Sequence, residues 1–306
     1  MITHHAGQRT DRPGADSGGT MILVTGATGT IGTEAVRLLA ARGLPVRALV
    51  RDISRAPQDG SWRGAELAVG DFDRTDTLDA AARGADTLLL ISPSVPAQEI
   101  AVIDSAVRQG VRHLVKITNH RATADSPVDR RRDHARIEAH LRASGLPFTL
   151  LAPNLLMQNL FLVAPAIRQT GEFAMSTGEG FFGMVDARDV SAAAAAVAAA
   201  PAGHAGRTYL LTGPELVGYA DVAAELTRAL GRAIAYRRLT PDRHRELMVR
   251  AGLPEAVAAS NAQVFALIAE GDAAWRSEDV AALTGSAPRT LRAFVTDHAD
   301  AFRAQG

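Results

Sequence analysis

Short runs of branched apolar residues recur along the first half of the chain and alternate with longer amphipathic segments. The runs lie at residues 21–24, 46–50, 66–69, 87–91, 114–117 and 148–151. Between them lie segments with helical spacing that end on glycine, at 32–43, 75–84, 98–110 and 132–145. Strand-helix alternation predicts a parallel sheet, and continuous apolarity is typical of strands covered by helices on both faces. The predicted fold class is therefore α/β, with a Rossmann-type doubly wound sheet.

The alternation stops after residue 151. A Pro- and Asn-rich segment leads to residues 171–183, an Ala-rich helix at 189–200, a strand at 208–212 and mainly helical sequence. Ala has the highest helix propensity and lets backbones approach, so the Ala run predicts a close-packing helix. We expect a Rossmann domain of residues 21–153 with 184–213, and a smaller, mainly helical substrate lobe of residues 154–183 with 214–306. Residues 1–20 have no apolar core segment and are expected to form a disordered tail.

The clearest motif spans residues 24–32, where the first predicted strand gives way to the first helix. Gly26 permits a tight turn, Gly29 lets the backbone approach a pyrophosphate, and Gly32 lets the helix lie close on the strand. Free N–H groups at the start of the helix attract phosphate. The motif predicts a dinucleotide site that also includes Thr28, Thr30 and Ile31.

The identity of the dinucleotide depends on the residue that follows the second predicted strand. This residue is Arg51, and in this fold it should face the adenosine ribose. A guanidinium there can clamp a 2′-phosphate, which favours NADPH, whereas Asp52 could accept the ribose hydroxyls of NADH. The other contacts expected in the cleft follow the third and fourth strands: Asp71 and Phe72 beside the adenine, and Ser92 and Pro93 on the nicotinamide side.

Composition limits the partners. Lys+Arg and Asp+Glu both total 33, so no net charge favours nucleic acid or an anionic membrane, and a small-molecule partner is expected. The chain has 0 Cys, which excludes disulfides and thiolate chemistry. Residues 150–165 are too short and too interrupted for a membrane span. The absence of Cys fits a reducing compartment, and a cytoplasmic protein is expected. His134 and His140 are too far apart to share a helix face, and no metal site is predicted.

These motifs resemble those of a known family. The chain is similar, from Met21 nearly to its C-terminus, to the NmrA-like group of atypical short-chain dehydrogenases/reductases. The glycine motif and four later segments carry the resemblance: Leu49-Val50-Arg51-Asp52, Gly70-Asp71, residues 134–159 and residues 185–190. The resemblance implies NAD(P) binding, with either NAD(P)H-dependent reduction of quinones and azo dyes or non-catalytic sensing of the NADPH/NADP ratio.

One departure bears on the chemistry. The acid pair of ordinary short-chain reductases, a tyrosine with a lysine four residues on, is absent, and Arg130 and His134 occupy those positions. Reduction of a simple ketone leaves a strongly basic alkoxide that needs a positioned acid. Hydride addition to a quinone instead gives a phenolate-like product, of pKa about 10, which solvent can protonate. We therefore expect NADPH-dependent hydride transfer to a quinone-like or azo-like acceptor.

The acceptor pocket is expected at the carboxyl ends of the fifth and sixth strands. The candidate catalytic residues are Thr118, Asn119 and His134, and further contacts are expected from Met157 and Asn159. Pro153 and Asn154 are expected to contact both the acceptor and the cofactor. His134 could instead be a half-exposed helix residue, and the two asparagines could cap backbone groups. Lys116, in the fifth strand, has an expected role on the nicotinamide side of the cofactor. Its alternative is a lysine at the sheet edge that extends to solvent.

Two other functions stay open. The chain could be a module that binds NADPH and reports its level to a partner protein. It could also be a pathway-specific reductase or isomerase that uses His134 as its acid. The basic run of residues 130–132 has no interleaved aromatic residues and is interpreted as a solvated helix start, not a nucleic-acid contact.

Overall fold

The computed structural model describes residues 20–304, so all of the expected tail except Thr20 lies outside the described residues. The strands are β1 (Ile22–Val24), β2 (Val46–Val50), β3 (Glu66–Val69), β4 (Thr87–Leu90), β5 (His113–Ile117), β6 (Phe148–Pro153), β7 (Glu172–Met175), β8 (Thr208–Leu211) and β9 (Ala235–Arg238). The helices are α1 (Thr30–Ala41), α2 (Thr75–Ala82), α3 (Pro96–Arg108), α4 (Asp129–Ala143), α5 (Ala164–Thr170), α6 (Ala187–Ala199), α7 (Tyr219–Leu230), α8 (Pro241–Arg250), α9 (Glu255–Ala269), α10 (Asp279–Thr284), α11 (Leu291–Asp297) and α12 (Ala299–Phe302).

Seven parallel strands form the central sheet, in the order β3-β2-β1-β4-β5-β6-β8. Strand β1 lies between β2 and β4, with Val24 opposite Ala48 on one side and Leu89 on the other. The chain order therefore reverses between β1 and β4, and ligands of such sheets bind at the carboxyl edge of this reversal. The arrangement confirms the predicted Rossmann-type fold.

Helices cover both faces of the sheet. One face packs against α1 and the Ala-rich α6, where Ala194, Ala195 and Ala198 are fully buried. The other face packs against α2, α3 and α4. The edge strand β3 is the exception to the predicted double coverage, because Leu67 and Val69 are 37% and 54% exposed.

The C-terminal lobe has its own apolar core, formed by residues between Met157 and Met184 and between Val217 and Phe302. It also contains the parallel pair β7 and β9, which sequence analysis missed because the Ala-Tyr-Arg-Arg of β9 has no apolar run. Helix α10 departs from the expected division: Val280 packs in the sheet-side core with α1 and α6. Within residues 20–304, no helix has the length and apolarity to cross a membrane.

Candidate cofactor and acceptor site

The turn between β1 and α1 requires glycine at two of its three glycine positions. Gly26 has a φ of +56°, and a Cβ there would lie 2.4 Å from the carbonyl oxygen of Ile91. A Cβ on Gly32 would lie 2.2 Å from the carbonyl oxygen of Gly26. Both distances are far below van der Waals contact, so any side chain at Gly26 or Gly32 would push the turn away from β4 or α1 away from the turn.

Backbone amides gather at the start of α1. The N–H of Gly29 donates to the carbonyl of Gly26 (2.9 Å), which closes the turn. The N–H groups of Thr30, Ile31 and Gly32 have no backbone acceptor among the described residues, as expected for the first turn of a helix. No side chain caps this end, and its first turn holds no acidic residue. These free donors, together with the helix dipole, form a site suited to an anion such as a pyrophosphate.

A cavity of about 520 Å³, here called the cleft cavity, opens in front of this turn at the carboxyl ends of β1 to β4. Its lining brings together most of the predicted cofactor residues, namely Gly26, Thr28, Gly29, Arg51, Asp71, Phe72, Ser92 and Pro93. Thr30, Ile31 and Gly32 are not part of this lining and form the first turn of α1. The sequence motif and the carboxyl ends of β2, β3 and β4 therefore meet in one concave site.

Two arginines line the cleft cavity beyond β2. Arg51 is the predicted one, and Arg55 was missed. Residues Ile53–Arg55 form a short 3-10 helix that returns Arg55 to the same surface. Asp52 caps this helix: its carboxylate accepts a hydrogen bond from the N–H of Ser54 (2.9 Å), which lowers the pKa of Asp52. Asp52 is thus held at the helix start and does not line the cavity.

Lys116 does not line the cleft cavity. It is fully buried in β5, where its Nζ donates to Glu99 of α3 and to the carbonyl of Ile117. The second oxygen of Glu99 accepts a hydrogen bond from the hydroxyl of Ser92 (2.6 Å). The lysine therefore reaches a buried carboxylate rather than solvent or the cleft surface, and the carboxylate connects it to a residue that lines the cleft.

His134 is buried beside this ion pair and does not line the cleft cavity. Thr118 donates its hydroxyl hydrogen to Glu138, so it can only accept from His134, whose Nδ1 lies 3.3 Å away. The Nε2 of His134 lies 3.0 Å from the hydroxyl of Ser94, and in a neutral ring with its hydrogen on Nδ1 it would accept a hydrogen bond from that hydroxyl. Burial, with the charges of Lys116 and Arg130, lowers the pKa of His134 to about 3. Such an imidazole has no proton to donate as an acid at neutral pH.

This low pKa predicts a pH-dependent stability. The unfolded chain binds a proton at His134 below about pH 6.5, whereas the native protein does not until about pH 3. Stability should therefore rise with pH across this window and level off above it. Between pH 7.5 and 5.0, His134 should account for a loss of about 2 kcal/mol in the free energy of unfolding.

Urea unfolding of the wild type and His134→Gln at both pH values measures this loss. Glutamine keeps a donor and an acceptor but does not titrate. The variant should lose about 2 kcal/mol less than the wild type between pH 7.5 and 5.0. Equal losses in the two proteins would show that the pKa of His134 is not depressed.

A second cavity, here called the interlobe cavity, has a volume of about 280 Å³ and lies where the ends of β5 and β6 face the C-terminal lobe. From the sheet side it is lined by Thr118, Asn119, Pro153, Asn154 and Asn159. Met157 instead lies in the core of the lobe. From the lobe come Val264, Ile268 and Trp275, whose ring centroid lies 4.6 Å from that of His120. Sequence analysis missed the lobe residues, since only long-range packing brings them here.

Asn154 connects the two sides of the interlobe cavity. Its Nδ2 donates to the carbonyls of Ala273 (3.0 Å) and Trp275 (3.4 Å), and its Oδ1 accepts from the N–H of Leu155 (2.8 Å). The side chain is 7% exposed. This matches the backbone-capping alternative, so Asn154 positions the wall that carries Trp275.

Charge in the interlobe cavity centres on Asp272. Arg131 and Arg121 both pair with its carboxylate, Arg121 at 2.8 Å. Burial opposes ionisation of Asp272, but the hydrogen bonds and charges of the two arginines outweigh it and lower its pKa. Burial also lowers the pKa of His120, with the charges of Arg121 and Arg131 acting in the same direction. Neither group is suited to donate a proton near neutral pH.

Comparison with known proteins identifies a matching family and several proteins of similar sequence. The profile of the NmrA-like family matches residues 19–294. The NAD(P)H azoreductase of Xenophilus azovorans is 39% identical over 287 residues, which cover 93% of this chain and 100% of that protein. The (4-alkanoyl-5-oxo-2,5-dihydrofuran-3-yl)methyl phosphate reductase of Streptomyces griseus is 36% identical over 287 residues, with 92% and 99% covered.

A solved structure is similar over the same length. The NADPH-dependent quinone oxidoreductase of Escherichia coli, complexed with NADPH, matches with a TM-score of 0.82 at 29% identity. The match covers 90% of this chain and 99% of that one. Similarity at this level extends over both the sheet and the C-terminal lobe.

Proposed function

Because this chain belongs to the NmrA-like family, we propose that it is an oxidoreductase that transfers hydride from NADPH to a quinone-like or azo-like acceptor. Its similarity to an NAD(P)H azoreductase and to a quinone oxidoreductase that binds NADPH supports both the cofactor and the acceptor class. The family also contains non-catalytic members, so the proposal rests on the site as well. We also propose that the protein is cytoplasmic.

The cleft cavity fits the cofactor. A Cβ on Gly29 would lie 3.2 Å from the carbonyl oxygen of Gly26, on the surface where a pyrophosphate would approach the amides of α1. Arg51 and Arg55 would hold a 2′-phosphate, and NADH is the weaker alternative because Asp52 is engaged as a cap. The Phe72 ring would flank the adenine, with Asp71 beside it, and Ser92 and Pro93 would face the nicotinamide side.

The residues of the interlobe cavity would bind and orient the acceptor. When bound, the nicotinamide supplies a hydride. Thr118, Asn119 and Pro153 lie at the carboxyl ends of β5 and β6 and would orient the acceptor beside it. The apolar side chains of the lobe would exclude water from the reacting atoms.

One observation carries the proposal. Among the described residues that line the interlobe cavity, the histidine and the carboxylate that could act as acids, His120 and Asp272, both have lowered pKa values and therefore hold no readily donated proton near pH 7. The proton that completes the reduction must therefore come from solvent. A quinone tolerates this because its reduced form is phenolate-like, whereas a simple ketone does not, and the azo part of the proposal rests on the similarity to the azoreductase.

Steady-state oxidation of NADPH with 1,4-naphthoquinone, an azo dye and cyclohexanone tests the proposal. We expect turnover with the first two acceptors and a kcat/KM for cyclohexanone lower by about 10²- to 10⁴-fold, the usual contribution of a positioned acid. Comparable turnover of cyclohexanone would reveal an acid that the geometry does not identify. Tight binding of NADPH without turnover of any acceptor would instead favour the sensor.

A further inference from the structure

The segment between β4 and α3, residues 91–95, is here called the nicotinamide loop, because the proposed function places Ser92 and Pro93 on that side of the cofactor. Both residues line the cleft cavity. Ser94 has a φ of +66°, in the left-handed region where a residue with a Cβ is strained. A backbone in this region persists only where surrounding contacts hold it. The shape of the loop therefore depends on its anchors.

Two buried side chains anchor the nicotinamide loop. The hydroxyl of Ser92 donates to Oε1 of Glu99 (2.6 Å), and its oxygen accepts from the N–H of Ser94 (2.9 Å). The hydroxyl of Ser94 lies 3.0 Å from Nε2 of His134. Glu99 and His134 are both buried. The anchors therefore lie in the interior, whereas Ser92 and Pro93 border the cleft.

Glu99 is itself held in place by Lys116. The Nζ of Lys116 donates to Oε2 of Glu99 and to the carbonyl of Ile117, so one carboxylate oxygen is bound to the ammonium and the other to Ser92. A charged acceptor makes a shorter and stronger hydrogen bond with a hydroxyl than a neutral one. A buried ion pair adds little to stability. Orientation of Ser92 therefore accounts for the pair better than stability does.

We infer that Glu99, held by Lys116, is a positioning residue that acts through Ser92 and keeps the nicotinamide loop in the shape that binds the nicotinamide end of the cofactor. The inference rests on the proposed function and adds a role in cofactor binding for the buried pair. Without this anchor, part of the protein would release the strain at Ser94 and leave that shape. Affinity for the cofactor then falls with the fraction of protein that keeps it.

Two double variants that differ at one residue test this inference. Both contain Lys116→Met, so neither leaves an ammonium without a counter-ion. Glu99→Gln keeps an oxygen acceptor for Ser92, and Glu99→Leu removes it. Calorimetry measures the Kd of NADPH and of 2′-phospho-ADP-ribose, which is the same molecule without its nicotinamide.

The double variant with leucine should raise the Kd of NADPH about 3- to 10-fold, the value of one hydrogen bond. Its Kd for 2′-phospho-ADP-ribose should change less than about twofold, which also shows that the variant is folded. The double variant with glutamine should raise the Kd of NADPH less than about twofold. The inference is overturned by an unchanged Kd of NADPH in the leucine variant, by equal rises for the two ligands, or by a glutamine variant that binds NADPH as weakly as the leucine variant.

Ser105→Ala is the matched control. Ser105 lies on α3 like Glu99, is buried, and donates its hydroxyl hydrogen to the carboxylate of Asp79 (2.6 Å), but it does not line the cleft cavity. Its loss removes the same kind of bond away from the nicotinamide loop. The Kd values of both ligands should change less than about twofold, and a rise equal to that of the leucine variant would refute a specific role for Glu99.

A second pair of variants leaves the buried charges intact. Ser94→Ala and Ser94→Gly both lose the hydroxyl beside His134, but only alanine keeps a Cβ at a positive φ. Ser94→Ala should raise the Kd of NADPH about 3- to 10-fold, and Ser94→Gly less than about threefold, because glycine adopts this φ without strain. Kd values that do not differ between the two variants would show that cofactor binding does not depend on the strained loop.

These binding measurements separate the inference from the reductase proposal, since none of them requires turnover. The expected Kd values in a protein that reduces no acceptor would uphold the positioning role and refute the reductase. Turnover of 1,4-naphthoquinone by a protein whose affinity for NADPH ignores residue 99 would uphold the reductase and refute the positioning role.

Discussion

The double variant Arg51→Asp, Arg55→Ala is expected to bind NADH more tightly than NADPH. Both arginines line the cleft cavity at the end of β2, and within residues 20–304 neither forms a salt bridge. Each charge-assisted contact with a 2′-phosphate contributes about 10- to 100-fold in affinity. The aspartate repels that phosphate and accepts the ribose hydroxyls, so the ratio of the two Kd values should change by about 100-fold or more in favour of NADH.

Dissociation constants for both cofactors, from calorimetry or thermal shift, measure this change in the wild type, the double variant and each single variant. Arg63→Asp is the matched control, because Arg63 is exposed and does not line the cavity. The ratio of the NADPH and NADH dissociation constants of Arg63→Asp should equal that of the wild type. A wild type that gains no more from NADPH than from NADH, or a double variant that keeps the original preference, would show that these arginines do not select the cofactor.

The cofactor-binding half of the site could be predicted because short, contiguous stretches of the sequence determine it. Gly26 and Gly32 are determined by a single turn, and Arg51 by the end of one strand. Arg55 was missed because its placement depends on the 3-10 helix that Asp52 caps, and a propensity pattern does not reveal so short an element.

The acceptor half could be predicted only on the sheet side. Thr118 and Asn119 follow a strand and could be placed from topology, but Trp275 and Asp272 come from a loop more than a hundred residues later in the chain. His134 shows a different difficulty. Its helix was predicted, but whether its ring faced the cavity or the interior depended on Ser94 and Thr118, and the structure places it in the interior.

The partner of Lys116 could not be predicted from the sequence alone. A lysine in the middle of a buried strand must find a carboxylate, solvent or a ligand, and the carboxylate that it finds belongs to α3, 17 residues away in the sequence. Both side chains of this pair are at most 1% exposed. Burying two charges is costly, so the intact pair adds little to the free energy of unfolding. Removal of one partner is strongly destabilising, because it leaves the other charge buried without a counter-ion.

Glu99→Leu is therefore expected to lower the free energy of unfolding by about 3–5 kcal/mol, because it leaves the ammonium of Lys116 buried without a counter-ion. The hydroxyl of Ser92 also loses its acceptor, which costs about 1 kcal/mol. The double variant Lys116→Met, Glu99→Leu removes both charges and fills the space with apolar groups of similar volume. It should lose only about 1–2 kcal/mol, since well-packed apolar replacements of a buried pair are often neutral.

Urea unfolding of the two single variants and the double variant completes a double-mutant cycle for the pair. Glu246→Leu serves as the exposed control, because Glu246 and its partners Arg243 and Arg250 are all exposed and surface pairs contribute little to stability. The result that would contradict this account is a double variant as unstable as Glu99→Leu. Stability would then depend on the carboxylate itself and its bond to Ser92, and Lys116 would not need neutralisation by Glu99.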